Sequence, residues 1–209
     1  MIGRLLTGML VGVVASILLV APLSNAQSIC QPDRLDIRHQ PQMIQAARGL
    51  DIDIETIRFQ TCNSPSFNTA MVGSAVTVNY PTAMPFGKIV GALTHELGHV
   101  YQLRRAGSTA NLLGELGNSR ERIELGADFL AGFVFRNFVS GATRADFQTS
   151  VALVGDYDDA AGPGHGTPEE RVAAFRTGYY YRGAPGDVNA ANRYFQRDGF
   201  GSIKAVSAP

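Results

Sequence analysis

Residues 88–104 read KIVGALTHELGHVYQLR, and the rest of the chain is best understood outward from this stretch. Val90, Leu93, Leu97 and Val100 recur at helical spacing and share one face, so the stretch reads as a helix from Lys88 to Arg104. At about 100° per residue, set by 3.6 residues per turn, His95 and His99 fall on the opposite side. Gly107 lies just beyond the helix end.

His95-Glu96-Leu97-Gly98-His99 is an HExxH motif on that helix. Residues four apart on a helix are separated by about 40°, so two imidazoles can converge on one ion at about 2.0–2.1 Å. Glu96 is turned aside by about a quarter turn. It therefore stands beside the ion and not on it, where a carboxylate can take the proton of water that zinc makes acidic. The motif alone is moderately specific, since it also occurs on helices whose histidines sit at the surface or in the core and bind nothing. Its context argues for a site: two of the four histidines are here, and polar groups on a half-buried helix need a reason to be there.

A catalytic zinc takes three protein ligands and keeps one position open. Arg105 stands where a metzincin would carry a third histidine. The other solution is a glutamate on a later helix, and Glu124 fits, near the start of the apolar run Ile123 to Phe138. Asp128 follows on the same face, where it can accept the far N–H of a ligand histidine. A solvated acid pair at a helix N-terminus is the alternative; it explains Glu121 better than Asp128, which lies inside the apolar run.

With these residues in place the chain resembles the gluzincin metallopeptidases. Glu124-Leu-Gly-Ala-Asp128-Phe-Leu-Ala-Gly132 is similar to the third-ligand helix of the neutral zinc metallopeptidase family. It is also similar, more distantly, to that of the CAAX prenyl protease and heat-shock-induced membrane protease group. His165-Gly-Thr-Pro-Glu-Glu-Arg171-Val172 resembles a stretch that follows the ligand helix there, and Asn68 through Val78 resembles the edge strand before the active-site helix. The resemblance covers residues 67–183. It implies an α+β fold, mainly helical and zincin-like, with a small sheet whose edge strand holds an extended peptide by strand addition. It implies a zinc-dependent endopeptidase with one Zn²⁺ on His95, His99 and Glu124, Glu96 as general base, and a peptide or protein substrate. His165 or Arg171 would donate to the oxyanion of the tetrahedral intermediate; Tyr179, Tyr180 and Tyr181 are further candidates, though clustered tyrosines more often pack. The sequence lacks the multiple membrane helices of the CAAX group, which argues against a prenylated membrane substrate. A zinc-stabilised binding or scaffold protein without turnover is the second reading, with His165 as its fourth ligand. A deformylase does not fit, because Cys62 lies in Gln-Thr-Cys-Asn-Ser and not in a Gly-Cys-Leu-Ser setting.

Composition agrees with an ordinary globular chain: 45% apolar, 17% charged and formally neutral. Neither a basic excess nor an acidic tail is present, so nucleic acid is not an expected partner. Residues 1–26 read as a secretory signal peptide: Arg4, an apolar run from Leu5 to Leu23, then Ser24-Asn25-Ala26. The protein is then exported, to a periplasm or the medium, and meets a membrane only if this segment is left uncleaved as an anchor. In that compartment Cys30 and Cys62 are expected to form a disulfide, with two free thiols as the alternative.

The remaining elements follow from local signals. Residues 27–66 form an N-terminal segment with a helix from Gln42 to Arg48 and a weak strand from Ile54 to Gln60. Ala70 to Tyr80 reads as one strand, and residues 105–118 as a linker. The Glu124 helix is expected to start after Asn118 or Ser119, with a capping box from Asn118 to Glu121. Gly126 and Gly132 would allow close approach, and Ser140-Gly141 would end the helix. Asp156, Asp158 and Asp159 read as a solvated acidic loop in preference to a calcium site. Thr167, Pro168 and Glu170 spell a second capping box for a helix ending at Gly178. Residues 184–209 read as a loosely packed or frayed tail.

Overall fold

Two short β-branched runs and one disulfide build the sheet. Strands β1 (Cys30–Pro32), β2 (Ile57–Cys62), β3 (Asn68–Val72) and β4 (Ala75–Pro81) lie in the order β1-β2-β4-β3. The β2–β4 pair is parallel and the outer pairs are antiparallel. The computed structural model describes residues 29–63, 67–141, 145, 164–184 and 186–207. The signal-like segment and the acidic loop with Asp156, Asp158 and Asp159 lie outside these residues. Cys30 and Cys62 face each other across the β1–β2 register and are disulfide-bonded, as expected.

The single strand expected over residues 70–80 is corrected to a hairpin. Gly73 adopts φ 61 and, with Ser74, closes a two-residue loop between Val72 and Ala75. That is the turn which glycine in the first loop position favours. Ile54–Thr56 is a short 3₁₀ turn capped by Asp53, so the strand expected from Ile54 starts only after it, at Ile57.

Seven helices are described: α1 (Pro41–Gly49), α2 (Phe86–Ala106), α3 (Thr109–Glu115), α4 (Arg120–Asn137), α5 (Pro168–Tyr179), α6 (Val188–Tyr194) and α7 (Phe200–Ser207). The fold is thus α+β, mainly helical, with a small mixed sheet. No helix among the described residues is long and apolar enough to cross a membrane. Residues 105–118 are not a plain linker: Ser108 caps α3 by accepting from Asn111 N, and Leu112 and Leu116 pack on Leu103 and Ala106. The expected Asn118–Glu121 box is also corrected. Asn118 is left-handed at φ 59, Ser119 caps α4 by accepting from Arg122 N at 3.2 Å, and Glu121 pairs with Lys204. The Thr167–Glu170 box is present as read.

The expected loose tail is corrected as well. Asp187 caps α6, and Val188, Ala191, Phe195 and Ile203 are buried in the one large core that begins at Ile37. A π-helical turn, Phe195–Gly199, joins α6 to α7 and sets the Phe195 ring 5.3 Å from that of Phe129 on α4. Lys204 on α7 bridges Glu121 of α4 and Glu170 of α5 at 2.8 and 2.5 Å.

Candidate metal centre

Helix α2 carries both histidines through the core. It starts after Pro85 and ends at Gly107, whose left-handed φ of 78 lets its N–H close on Leu103 O. Both of its faces are covered: the apolar stripe is buried, His95 on the other side is 4% exposed, and His99 is half-buried. The cover is α4. A Cβ on Gly98 would lie 3.0 Å from the Ala127 backbone, so a side chain there would push the two helices apart by a few tenths of an ångström. Glu124 lies nearly one turn before Ala127 and faces the two imidazoles.

The ligand atoms of His95, His99 and Glu124 lie within 4.8 Å of one another. His95 Nε2 is 3.3 Å and His99 Nε2 3.4 Å from the same Glu124 oxygen, Oε2. These distances are long for charge-assisted hydrogen bonds, which run about 2.7–2.9 Å. They match the separation of about 3.3–3.4 Å that a tetrahedral ion imposes on ligands bound at about 2.0–2.1 Å. The donor set therefore fits a metal ion.

Each histidine is oriented from behind. His95 Nδ1 donates to Asp128 Oδ1 at 2.7 Å, which turns Nε2 toward Glu124. Asp128 is fully buried and is held by Arg171, whose Nε and a terminal nitrogen donate to its two oxygens at 2.9 and 3.1 Å. His99 Nδ1 donates to Gln102 Oε1 at 2.9 Å, and the Gln102 amide donates in turn to Ile123 O, next to Glu124. Gly126 makes room for that amide, because a Cβ there would lie 2.7 Å from Gln102 Nε2. Gln102 was not legible as part of the site: it falls one turn after the motif, and no spacing rule singles it out.

Asp128 thus meets His95 on the side of the ring away from Glu124. Arg171 is buried, with its guanidinium donating to Asp128 and a terminal nitrogen 3.4 Å from His95 Nδ1. His165 lies at the rim, 43% exposed on its side chain, with Nδ1 3.6 Å from Glu124 Oε1. Glu96 is 5% exposed, and its Oε2 accepts from the Thr69 hydroxyl on β3 at 2.5 Å. Tyr181 packs against Phe129 and Tyr194, and Tyr179 against Phe175, so these two tyrosines belong to the aromatic core.

The charges are mutually dependent. Burial disfavours a charged His95, yet Asp128 and Glu124 outweigh it and lift the imidazole to about 10. Burial likewise pushes His99 down, and the Glu124 charge carries it above its ordinary value. Burial pushes Glu124 up, but the charge of His99 and the nearby ring nitrogens of all three histidines hold it well below the usual carboxylate range. Asp128 is raised by burial and lowered further by Arg171 and His95. The pocket favours positive charge: protons supply it in the metal-free chain, and a metal ion would displace them.

Comparison of the chain with protein-family models, curated proteins and solved structures finds no match. Function must therefore be argued from this site.

Proposed function

We propose that this chain is an exported zinc metallopeptidase of the gluzincin type, hydrolysing peptide bonds with Glu96 as general base. The observation that carries the reading is the spacing of His95 Nε2, His99 Nε2 and the Glu124 carboxylate, each histidine fixed from behind by a buried acceptor. Two imidazoles and a carboxylate that converge on one point suit zinc. Bound there, zinc would act as a Lewis acid that polarises a carbonyl and makes water acidic at neutral pH.

The protein groups supply the rest. Glu96, next to His95 but turned off the ligand direction, takes a proton from the attacking water and returns it to the leaving amine nitrogen. His165, at the rim beside Glu124, would donate to the substrate carbonyl oxygen as negative charge builds on it. The outer edge of β3, the last strand in the sheet order, offers backbone groups to an extended peptide. Among the described residues the ligand group has three members. That favours an open catalytic position over a closed structural site, which takes four. The disulfide supports export, since such bonds persist in oxidising compartments.

The test is hydrolysis of an unfolded protein such as reduced, alkylated casein by the zinc-loaded chain, beside Glu96→Gln. Activity lost by at least about 100-fold in the variant, with zinc retained, supports the assignment, because general-base catalysis is worth about 10²–10⁴. Equal activity in the two proteins overturns it. Stoichiometric zinc with no hydrolysis in the wild type favours a scaffold.

A further inference from the structure

Thr69 touches the chemistry from two directions. Its single hydroxyl proton goes to Glu96 Oε2 at 2.5 Å, with Glu96 O a weaker alternative at 3.3 Å. Its backbone has a different role, set by the hairpin register. Val72 and Ala75 flank the two-residue loop, so they exchange both backbone hydrogen bonds, and the pairs alternate from there. Ala70/Thr77 and Asn68/Asn79 are then the other bonded pairs, and the N–H and C=O of Thr69 and Met71 point to the open edge. Alternation of exposure along β3 agrees: Thr69 and Met71 are half-buried while Asn68, Ala70 and Val72 are exposed.

We propose that Thr69 is a positioning residue for the general base, coupling the substrate edge of the sheet to Glu96. This rests on the peptidase reading above. The hydroxyl fixes one oxygen of Glu96 and leaves Oε1 to receive the proton. A peptide added to β3 is then in register with the residue that aims the base.

Thr69→Val keeps the β-branched shape and removes the hydroxyl; Thr69→Ser keeps the hydroxyl. In the zinc-loaded full chain, Thr69→Val is expected to lower kcat by about 10–100-fold, the scale of loss when a reacting group is misplaced. KM and zinc content stay at wild-type values, and Thr69→Ser restores most of kcat. A double-mutant cycle of Thr69→Val with Glu96→Ala, read on unfolding of the metal-free chain, gives a non-zero coupling without reference to activity. Unchanged kcat in Thr69→Val, a change confined to KM, or zero coupling overturns the proposal. A wild type that binds zinc and hydrolyses nothing while the coupling persists overturns the peptidase reading, and the role of Thr69 in aiming a base with it.

Discussion

His95 has two acidic neighbours, Asp128 behind it and Glu124 in front, and most of the site's behaviour follows from that sandwich. Asp128→Asn leaves Arg171 buried without its charge partner, so a loss of about 3–5 kcal/mol in stability is expected, read by denaturant unfolding. Gln102→Leu removes the acceptor behind His99 and should weaken zinc binding by about 10–100-fold, measured by chelator competition, with the fold intact. The pH dependence has a definite sign. His95 is raised, so its contribution to the metal-free fold is complete below its ordinary 6.5 and is lost as pH rises through about 10. Glu124 and Asp128 are lowered, so theirs is complete above the ordinary carboxylate range and is lost as pH falls through their folded values. The denaturant midpoint of the metal-free chain should therefore fall at both ends of a pH series; a midpoint that rises above pH 10 contradicts the sandwich. Zinc affinity should increase with pH, because the histidines must first lose their protons. At this scale the clustering of His95, His99 and Glu124, with Asp128 behind, was readable, because metal chemistry fixes residue type and helical spacing. Thr69 and Gln102 were not, because their roles depend on which helix and strand faces meet in space.

Helix α4 is held at two crossings, and glycine makes both. On one side Gly98 meets Ala127. On the other, a Cβ on Gly178 would fall 1.9 Å from Phe129 O and one on Gly132 2.0 Å from Phe175 O. These obstacles are backbone and cannot rotate aside. Gly178→Ala should therefore force α4 and α5 apart, destabilise the fold by about 1–3 kcal/mol or more, and loosen the Arg171–Asp128 pair. The midpoint and the zinc affinity should both drop; a wild-type value of each contradicts this packing. The sequence reading placed α1, α2, α4 and α5 to within about two residues, because caps and apolar periodicity are local. It missed α3 and the β3–β4 break: α3 is only two turns long, and the strand reading ran through Gly73. Its loose tail overlooked Val188, Ala191 and Phe195, whose spacing was helical, because residues 184–209 are mostly small and polar with only a few scattered larger apolar side chains.

Across the whole molecule, one core runs from Ile37 to Ile203, and the N-terminal segment joins it through the sheet and the Cys30–Cys62 bond. That bond closes a loop with a sequence separation of 32 residues, which in the chain-entropy account is worth about 3–4 kcal/mol. Replacing both cysteines with alanine should lower Tm while leaving zinc binding near wild type, because neither cysteine is among the ligands. If the site takes zinc, added zinc should raise Tm in a concentration-dependent way, as any ligand of the folded state does. The central claim is that His95, His99 and Glu124 hold zinc, and elemental analysis of the purified protein beside Glu124→Ala tests it most directly. One zinc ion per chain is expected in the wild type, and its loss in the variant. No zinc in the wild type after reconstitution, or equal zinc in both proteins, would contradict it.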